Sequence, residues 1–460
     1  MTGERDGGLM VVKMRRLRSR TTLWTAAGVA AAVGAAGAVS LATGVVGFGG
    51  AATADEGTLG LVEVPREAAT LQQADELVRP GGTILVSPGI YRESVTIDKP
   101  RVVLRGLDRN GVVLDGGWRM DDGIAVTAPG VSIENLTVRD YNLNGVLVTG
   151  ETDADGEGIG RGSDGYEQQD PSKYPPLDGF RVRYVTSYDN GLYGIYAFDA
   201  HDGVIEDTYT SGGADSGLYV GQCAPCDVVV RGNTAERNAV GLEADNASER
   251  MYVLANRLTG NRVGLAIGSN YQEALIPQRS ATIVGNLVAH NDDPDSPEQA
   301  DGGFGIGLGI DGGDTNLVER NRVLDNPTVG LIIESHEDLP PNGNTINGNV
   351  FSANGLDIGY AASQLAPGSA DCVSSDNRLT TIQPALPEPG ACLSGIGTQL
   401  TQLAAPPGVS FHDVPAPPAQ PDLPPDTPYT AAVGLPGPVD PAQVGLPALN
   451  LLSNGAVVNP

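Results

Sequence analysis

The chain has 460 residues and a formal net charge of −28, with 28 Lys and Arg against 56 Asp and Glu. This balance excludes nucleic-acid binding, because phosphate recognition requires clustered cations. Gly (63) and Pro (33) are abundant and aromatic residues make up only 5%, which predicts a soluble chain rich in turns. An acidic surface favours a neutral ligand, or an anionic one bridged by Ca²⁺.

The N-terminus has the pattern of an export signal. Four arginines between Arg15 and Arg20 precede an uncharged run, rich in Ala, Gly and Val, from Thr21 to Ala54. Ala52-Thr53-Ala54 is a small-residue cleavage site. Because the apolar run exceeds the ~7–15 residues of most signal peptides, residues 1–54 are predicted to be either a signal peptide or an N-terminal membrane anchor. Both alternatives make the protein secreted or cell-surface anchored.

Residues 55–80 are predicted to form an N-terminal cap. Apolar residues follow helical spacing between Arg66 and Arg79, namely Ala69, Leu71, Ala74, Leu77 and Val78. A short helix here would cover the open first coil of the domain that follows.

Residues 81–395 contain a repeat of about 23 residues. Its first column is a set of Gly-apolar dipeptides: Gly145-Val146, Gly194-Ile195, Gly217-Leu218, Gly241-Leu242, Gly264-Leu265, Gly307-Leu308 and Gly330-Leu331. A second column is mostly asparagine: Asn135, Asp207, Asn233, Asn256, Asn286, Asn321 and Asn349. Units this short must stack to bury a core, so each is one coil of two or three strands, with turns at stacked asparagines. The predicted fold is all-β, a single-domain right-handed parallel β-helix with a short N-terminal capping helix.

Strand alternation assigns a direction to each side chain. Leu218, Val220, Leu242, Ala244, Leu265, Ile267, Leu331 and Ile333 should point inward. Tyr219 and a set of acidic residues should point outward, and the acidic set is Glu243, Asp245, Asp311 and Glu334, with Asp215 nearby. Carboxylates on adjacent coils, about 5 Å apart, repel one another unless they are protonated or bound to a cation. We expect this face to bind substrate, either a neutral sugar or a ligand held through Ca²⁺; glycoside hydrolysis by Glu243 with Asp245 or Asp311 is a further alternative.

Two insertions, residues 150–179 and 292–303, interrupt the ladder. They are candidate walls of a groove, or else surface decoration. The first contains Asp153, Asp155, Glu157 and Asp164 at the first, third, fifth and twelfth places of a calcium-loop pattern. These four residues are the candidate metal ligands, with a solvated acidic loop as the alternative. Ca²⁺ is the single candidate cofactor.

Four cysteines in an exported protein predict disulfides. Three connectivities are open, of which the local one pairs Cys223 with Cys226 and Cys372 with Cys392; a redox-active or metal-binding Cys-x-x-Cys is the alternative for the first pair. Residues 396–460 are rich in Pro and Ala and have no period, which predicts an extended or disordered tail.

The ladder, together with the segment from Pro88 to Gly106, resembles the parallel β-helix repeat proteins of the pectate-lyase-like superfamily. That superfamily includes polysaccharide lyases, mannuronan C5-epimerases and NosD-type periplasmic accessory proteins. The nearest local motif is the Tyr-Gly-apolar and Asp-Pro-His-Asp signature of the epimerases and related alginate lyases. Here Tyr193-Gly194-Ile195 is followed by Asp199-Ala200-His201-Asp202, so Ala200 replaces the proline and the tetrapeptide lies further downstream.

The resemblance implies removal of the C5 proton of a uronate. Asp199, His201 and Asp202 would then act as acid and base, with Tyr196 or Tyr219 as proton donor. No Lys or Arg accompanies the outward acidic set to neutralise a uronate carboxylate, which argues against this chemistry.

The rival prediction is a non-catalytic β-helix, NosD-like or adhesive, in which residues 199–203 form an acidic turn with His201 exposed. It would bind glycan or a protein partner at the cell envelope, so the sequence leaves open whether the protein is an enzyme. In both cases we expect a monomer whose partner is an extracellular polysaccharide or cell-envelope component. Membrane contact would be limited to the N-terminal anchor.

Overall fold

The computed structural model describes residues 57–151, 173–300, 302–401 and 403–452. In these ranges the chain forms one α-helix, α1 (Leu71–Leu77), and 32 short strands. The strands are β1 (Leu59–Val64), β2 (Val78–Val86), β3 (Gly89–Tyr91), β4 (Val95–Ile97), β5 (Val103–Gly106), β6 (Val112–Asp115), β7 (Ile124–Val126), β8 (Val131–Arg139), β9 (Val146–Thr149), β10 (Leu177–Tyr188), β11 (Ile195–Phe198), β12 (Ala200–Glu206), β13 (Tyr209–Ser211), β14 (Ser216–Cys223), β15 (Val228–Arg231), β16 (Thr234–Ala235), β17 (Val240–Ala247), β18 (Met251–Leu254), β19 (Arg257–Thr259), β20 (Val263–Gly268), β21 (Ala281–Val284), β22 (Leu287–Ala289), β23 (Ile306–Asp311), β24 (Leu317–Glu319), β25 (Arg322–Leu324), β26 (Val329–Glu334), β27 (Thr345–Asn347), β28 (Val350–Ser352), β29 (Ile358–Ala361), β30 (Gly368–Val373), β31 (Ile382–Gln383) and β32 (Cys392–Gly395).

The strands form two long sheets that coil together as a right-handed parallel β-helix. The second sheet contains β4, β7, β9, β11, β14, β17, β20, β23, β26, β29 and β31, and the first sheet contains the remaining 21 strands. Except for the last pair, β30 and β32, the strands pair in parallel with their counterparts one coil further along, as β14 pairs with β17 and β17 with β20. The predicted fold class is confirmed.

The Gly-apolar ladder forms the interior of the second sheet. Leu218, Leu242, Leu265, Leu308 and Leu331 lie in direct register on successive strands, and each is fully buried. Stacking like on like lets every coil bury the apolar face that it could not bury alone. The predicted inward positions are therefore correct.

Two ladders of asparagine line the turns. In one, Asn233, Asn256, Asn286, Asn321 and Asn349 follow each other, each amide nitrogen donating to the next side-chain oxygen at 2.9–3.0 Å. The same nitrogen also donates to a backbone carbonyl of the preceding coil, as Asn286 does to Val253 at 2.9 Å. Each buried amide thus satisfies its neighbours, which is the physical reason for the asparagine column.

The capping helix is shorter than the segment that the sequence indicates. Thr70 caps its N-terminus by accepting from the Gln73 N–H at 3.1 Å, and Leu71 and Ala74 are buried against the first coil. Helix α1 ends at Leu77 because the chain from Val78 onward pairs as β2 with β1. Val78 and Arg79, which the apolar spacing assigned to the helix, therefore belong to strand β2.

Two disulfides, Cys223–Cys226 and Cys372–Cys392, confirm the local connectivity. The second joins β30 to β32, an antiparallel pair at the C-terminal end of the helix. In the described ranges no helix is long and apolar enough to cross a bilayer. The predicted export segment, residues 1–54, lies outside those ranges.

Composition left the tail as extended or disordered, and its described residues lie against the first sheet. Residues 403–451 run back along the first sheet, where Arg105 donates to the Thr427 carbonyl at 2.7 Å and Arg320 donates to the Pro441 carbonyl at 2.7 Å. A proline-rich backbone has carbonyl acceptors but few N–H donors, and the arginines of the sheet provide the missing donors. Val444 also packs on a buried apolar cluster that includes Val284. The order of this segment depends on tertiary contacts, which composition does not reveal.

Candidate functional site

The outer face of the second sheet brings most of the predicted site residues together. Tyr196, Tyr219 and Glu243 occupy the same register on β11, β14 and β17. A second column lies two positions further along the strands. It contains Asp245 on β17, Asp311 on β23 and Glu334 on β26, and strand β20 lies between the first two. We call Asp215, Glu243, Asp245, Asp311 and Glu334 the acidic face.

An aromatic cluster lies beside the acidic face and consists of Tyr193, Tyr196, Phe198 and Tyr219. The rings of Tyr193 and Tyr196 stack with centroids 4.5 Å apart, and Tyr219 is tilted at 4.9 Å from each of them. Tyr196 also stacks on Phe198 at 5.4 Å. Tyr193 and Tyr196 are half-buried, so part of each ring is exposed beside the acidic face.

The second insertion reaches this face. Gln299 donates to Asp215 at 2.6 Å and lies 3.3 Å from Glu243, so one amide bridges two carboxylates. The Ser216 hydroxyl also donates to Glu243. We call the acidic face, together with the loops that contact it, the groove, and this insertion is one of its walls.

The opposite wall is a loop that the sequence analysis missed, residues 269–280. Its Glu273 accepts from the Tyr219 hydroxyl, and its Asn270 donates to Asp245 at 2.9 Å. Tyr219, although it points outward as predicted, is only 3% exposed because this loop covers it. The signal was present, since Asn256 and Asn286 are 30 residues apart instead of 23.

Burial and mutual repulsion hold several of these carboxyl groups close to neutral. Burial, with Asp215 and Asp245, raises the pKa of Glu243 well above its usual value. Burial, with a contribution from Asp311, raises the pKa of Asp245 to about 6 and that of Glu334 to about 7. Such groups can donate as well as accept hydrogen bonds near neutral pH.

No Lys or Arg in the described ranges lies within ion-pair distance of Glu243, Asp245, Asp311 or Glu334. Among the described residues, the basic side chain that contacts these four carboxyl groups is His336, whose Nδ1 lies 2.9 Å from Asp311. That contact raises the pKa of His336. The face therefore lacks the cations that would neutralise a uronate carboxylate directly.

The remaining predicted catalytic residues lie elsewhere, at the corner between the sheets. Asp199 follows β11 and is fully buried, and burial with nearby Glu151 raises its pKa to about 7. His201 and Asp202 belong to β12 of the first sheet, where His201 Nδ1 lies 2.6 Å from Asp202. Because β11 and β12 belong to different sheets, the structure groups Tyr196 and Tyr219 with the acidic face and not with His201.

The four predicted calcium ligands, Asp153, Asp155, Glu157 and Asp164, lie outside the described ranges. Soft metal ligands are few among the described residues, because all four cysteines are in disulfides. A Cu(I) ion, which prefers thiolate and thioether, therefore does not fit the described donor sets, whereas imidazole with carboxylate fits a divalent ion.

Comparison with known proteins gives one family match. Residues 178–366 match the profile of the family described as periplasmic copper-binding protein (NosD). The match spans less than half of the chain and includes the groove floor, both described walls and the corner residues. No curated protein sequence matches the chain.

Several solved structures are similar to this chain. The A-module of mannuronan C-5 epimerase AlgE4 from Azotobacter vinelandii has 17% identity and a TM-score of 0.42, covering 67% of this chain and 90% of that one. The Dettilon tailspike protein has 14% identity and a TM-score of 0.44 over 70% and 68% of the two chains. The periplasmic alginate epimerase AlgG has 13% identity and a TM-score of 0.41 over 72% and 81%. The chain's own sheet topology, with coils paired in parallel, carries the assignment of the parallel β-helix fold.

Proposed function

We propose that the protein is an exported β-helix that binds a polysaccharide chain along the outer face of its second sheet. The observation that carries this proposal is the aromatic cluster, with Tyr193 and Tyr196 stacked at 4.5 Å, directly beside the acidic face. Sugar rings pack their apolar faces on aromatic rings, while carboxyl groups bind sugar hydroxyls. The two disulfides are in keeping with an oxidising, extracytoplasmic compartment.

A neutral glycan fits this face better than an anionic one. Glu243, Asp245 and Glu334 are half-buried beside other carboxylates and have no Lys or Arg partner in the described ranges. A uronate would add a further negative charge, and a divalent cation would be needed to bridge the two. Protonated carboxyls, in contrast, can hydrogen-bond hydroxyls of a neutral sugar in both directions.

Modification of the bound glycan is the finer proposal. Carboxyl groups with a pKa near neutrality, such as Glu334 at about 7 and Asp245 at about 6, are suited to acid–base catalysis. The half-buried Tyr196 is the candidate proton donor of the kind a uronate lyase or C5-epimerase uses, because the loop that bears Glu273 covers Tyr219. The NosD match favours the rival, a non-catalytic envelope protein.

Affinity electrophoresis of the protein against alginate, pectate and neutral glycans, with and without Ca²⁺, tests the binding proposal. A neutral glycan should retard the protein, and Tyr196→Ala should weaken this binding about tenfold, by loss of one stacking surface. Tyr429→Ala is the matched control, because Tyr429 is exposed and packs on Arg105 of the first sheet. Absence of retardation by every glycan, or equal weakening by both variants, would contradict the proposal.

The same incubations separate the catalytic proposal from its rival. Absorbance of unsaturated uronate reports elimination, and NMR reports C5 inversion or cleavage. New products that disappear in Tyr196→Phe support catalysis, whereas retained binding without any product supports the non-catalytic protein.

A further inference from the structure

Three metal-ligating side chains meet at the corner where β10 pairs with β12. Asp178 and His201 are direct cross-strand partners in that parallel ladder, so their side chains lie on the same side. Asp202 would normally face the opposite side, but its φ of 56° is left-handed and bends the strand. Aspartate tolerates this conformation better than most residues, so the local backbone gathers both neighbours on one surface. We call Asp178, His201 and Asp202 the corner cluster.

The donor atoms of the corner cluster are close enough to share one ion. His201 Nδ1 lies 2.6 Å from Asp202 Oδ2 and 3.9 Å from Asp178 Oδ1, and the donor atoms of the three residues lie within 4.8 Å of one another. Around a tetrahedral ion with bonds of about 2.1 Å, donors are about 3.4 Å apart. Because the three side chains are partly exposed, small rotations suffice to reach that spacing. In the described ranges no other group of three acidic, His or Cys side chains has this geometry.

A second observation points to a ligand at the same place. Asp199 is fully buried, and neither of its carboxylate oxygens makes a hydrogen bond of good geometry, although the nearby Gln222 side chain partly offsets the rise in its pKa that burial causes. Asp199 lines a cavity of about 370 Å³ together with His201, Asp202 and Asp227. Asp227 is already paired with Arg250, whereas Asp199 has no cationic side chain bonded to it. A buried carboxylate without good hydrogen bonds is costly, and a bound cation in this cavity would remove that cost.

We propose that the corner cluster binds one divalent transition-metal ion of the Zn²⁺ class through His201 Nδ1 and the carboxylates of Asp178 and Asp202, beside the buried carboxylate of Asp199. Imidazole nitrogen favours this class over Ca²⁺ and Mg²⁺, which select oxygen ligands. The site is separate from the acidic face, so it stands or falls independently of glycan binding. It gives His201 and Asp199 a role that the groove does not use.

Isothermal titration of the EDTA-treated, desalted full chain with Zn²⁺, in excess Ca²⁺, measures the site directly. We expect one equivalent of Zn²⁺ to bind. Asp178→Asn and His201→Ala should each abolish that saturable binding; Asp178 has a side chain that is 72% exposed, so its substitution leaves the fold intact. Co²⁺ bound in place of Zn²⁺ should give visible absorption bands that the His201→Ala variant lacks.

His290→Ala is the matched control. His290 also faces a carboxylate, Asp325 at 3.7 Å, but no third donor completes a group there. This variant should bind Zn²⁺ as the unaltered protein does. The proposal is overturned if the unaltered chain binds no Zn²⁺, or if His201→Ala binds the same number of ions, since the ion would then lie elsewhere, for example among Asp153, Asp155, Glu157 and Asp164.

Discussion

Two polar columns, the asparagine ladder and the acidic face, run along this β-helix. They differ in which groups supply their hydrogen-bond donors and acceptors. The asparagine ladder through Asn256 and Asn286 is buried, and each amide donates to the next side chain and accepts from the previous one. The acidic face repeats carboxylates at the same coil spacing, but a carboxylate only accepts. It depends on Ser216, Gln299, Asn270 and His336 as external donors.

The difference separates structure from function. A self-complementary ladder stabilises every coil and needs no ligand. A column of acceptors raises its own pKa values and remains ready to bind protons, cations or hydroxyls. We therefore expect substitutions in the ladder to lower stability, and substitutions in the acidic face to alter binding and the pH dependence of stability.

Glu134 shows what a carboxylate needs in order to be structural, and Glu134→Gln should have the largest effect. Glu134 is fully buried and accepts from Arg105 Nε at 2.6 Å and Arg183 Nε at 2.9 Å. Removing its charge leaves two arginines uncompensated, so we expect a loss of about 4 kcal/mol in the free energy of unfolding. Urea denaturation measures it, with Glu63→Gln as control, because Glu63 pairs with the exposed Arg66. Equal small effects of both variants would refute the structural role.

Asn286→Ala should come next, with a loss of about 3 kcal/mol. The substitution removes the acceptor of both the side-chain amide and the backbone N–H of Asn256. The Asn321 oxygen loses its side-chain donor and keeps only the backbone N–H of residue 286. Asn347→Ala is the control, because Asn347 is only half-buried and donates weakly to Glu319 at 3.3 Å. A similar shift of the urea midpoint in both variants would show that the ladder does not differ from surface amides.

Glu334→Gln, in contrast to the two variants above, should raise the free energy of unfolding. The pKa of Glu334 is raised from 4.5 to about 7, mainly by burial, with a contribution from Asp311. Between those values the folded state binds more protons than the unfolded state, so stability falls as the pH rises from about 4.5 through 7. The variant should thus be more stable than the unaltered protein by about 2 kcal/mol at pH 8 and equal to it near pH 4.5.

Thermal unfolding at both pH values tests this sign. The adjacent Glu337→Gln is the control, since Glu337 is exposed and a surface substitution should change stability by less than about 0.5 kcal/mol. A destabilised Glu334→Gln at pH 8 would contradict the account of this column.

Ser216→Ala should have the smallest effect, a loss of about 1 kcal/mol, because it removes one donor to Glu243 while Gln299 remains nearby. Ser369→Ala, at an exposed hydroxyl that donates to Asn342, should be neutral by the same urea measurement. A neutral Ser216→Ala would mean that the serine does not support the carboxylate.

The sequence predicted the coil, its interior and the outward acidic residues, because period and alternation are local signals that Leu218 and Asn286 repeat visibly. It did not predict the loop bearing Glu273, since an insertion of seven residues between asparagines is a weak signal beside the 43-residue step of the glycine column. The sequence did not reveal that arginines of distant strands, such as Arg105, bind the tail.

The grouping of catalytic candidates was the hardest part to predict. Tyr196 and His201 are five residues apart, yet a corner at Asp199, with φ of 51°, sends them to different sheets. Their proximity in the sequence indicated one site. In the structure, the change of chain direction at Asp199 places them in two separate groups of residues. The acidic face and the corner cluster are the result.

Glu243→Gln tests the central claim most directly, because Glu243 belongs to the acidic face and touches both Ser216 and Gln299. Unfolding and glycan affinity should be measured on the same preparation at pH 8. The account predicts stability equal to or above that of the unaltered protein, together with at least a tenfold loss of glycan affinity. A variant that loses more than about 2 kcal/mol of stability and still binds glycan normally would show that this column is structural, like the asparagine ladder.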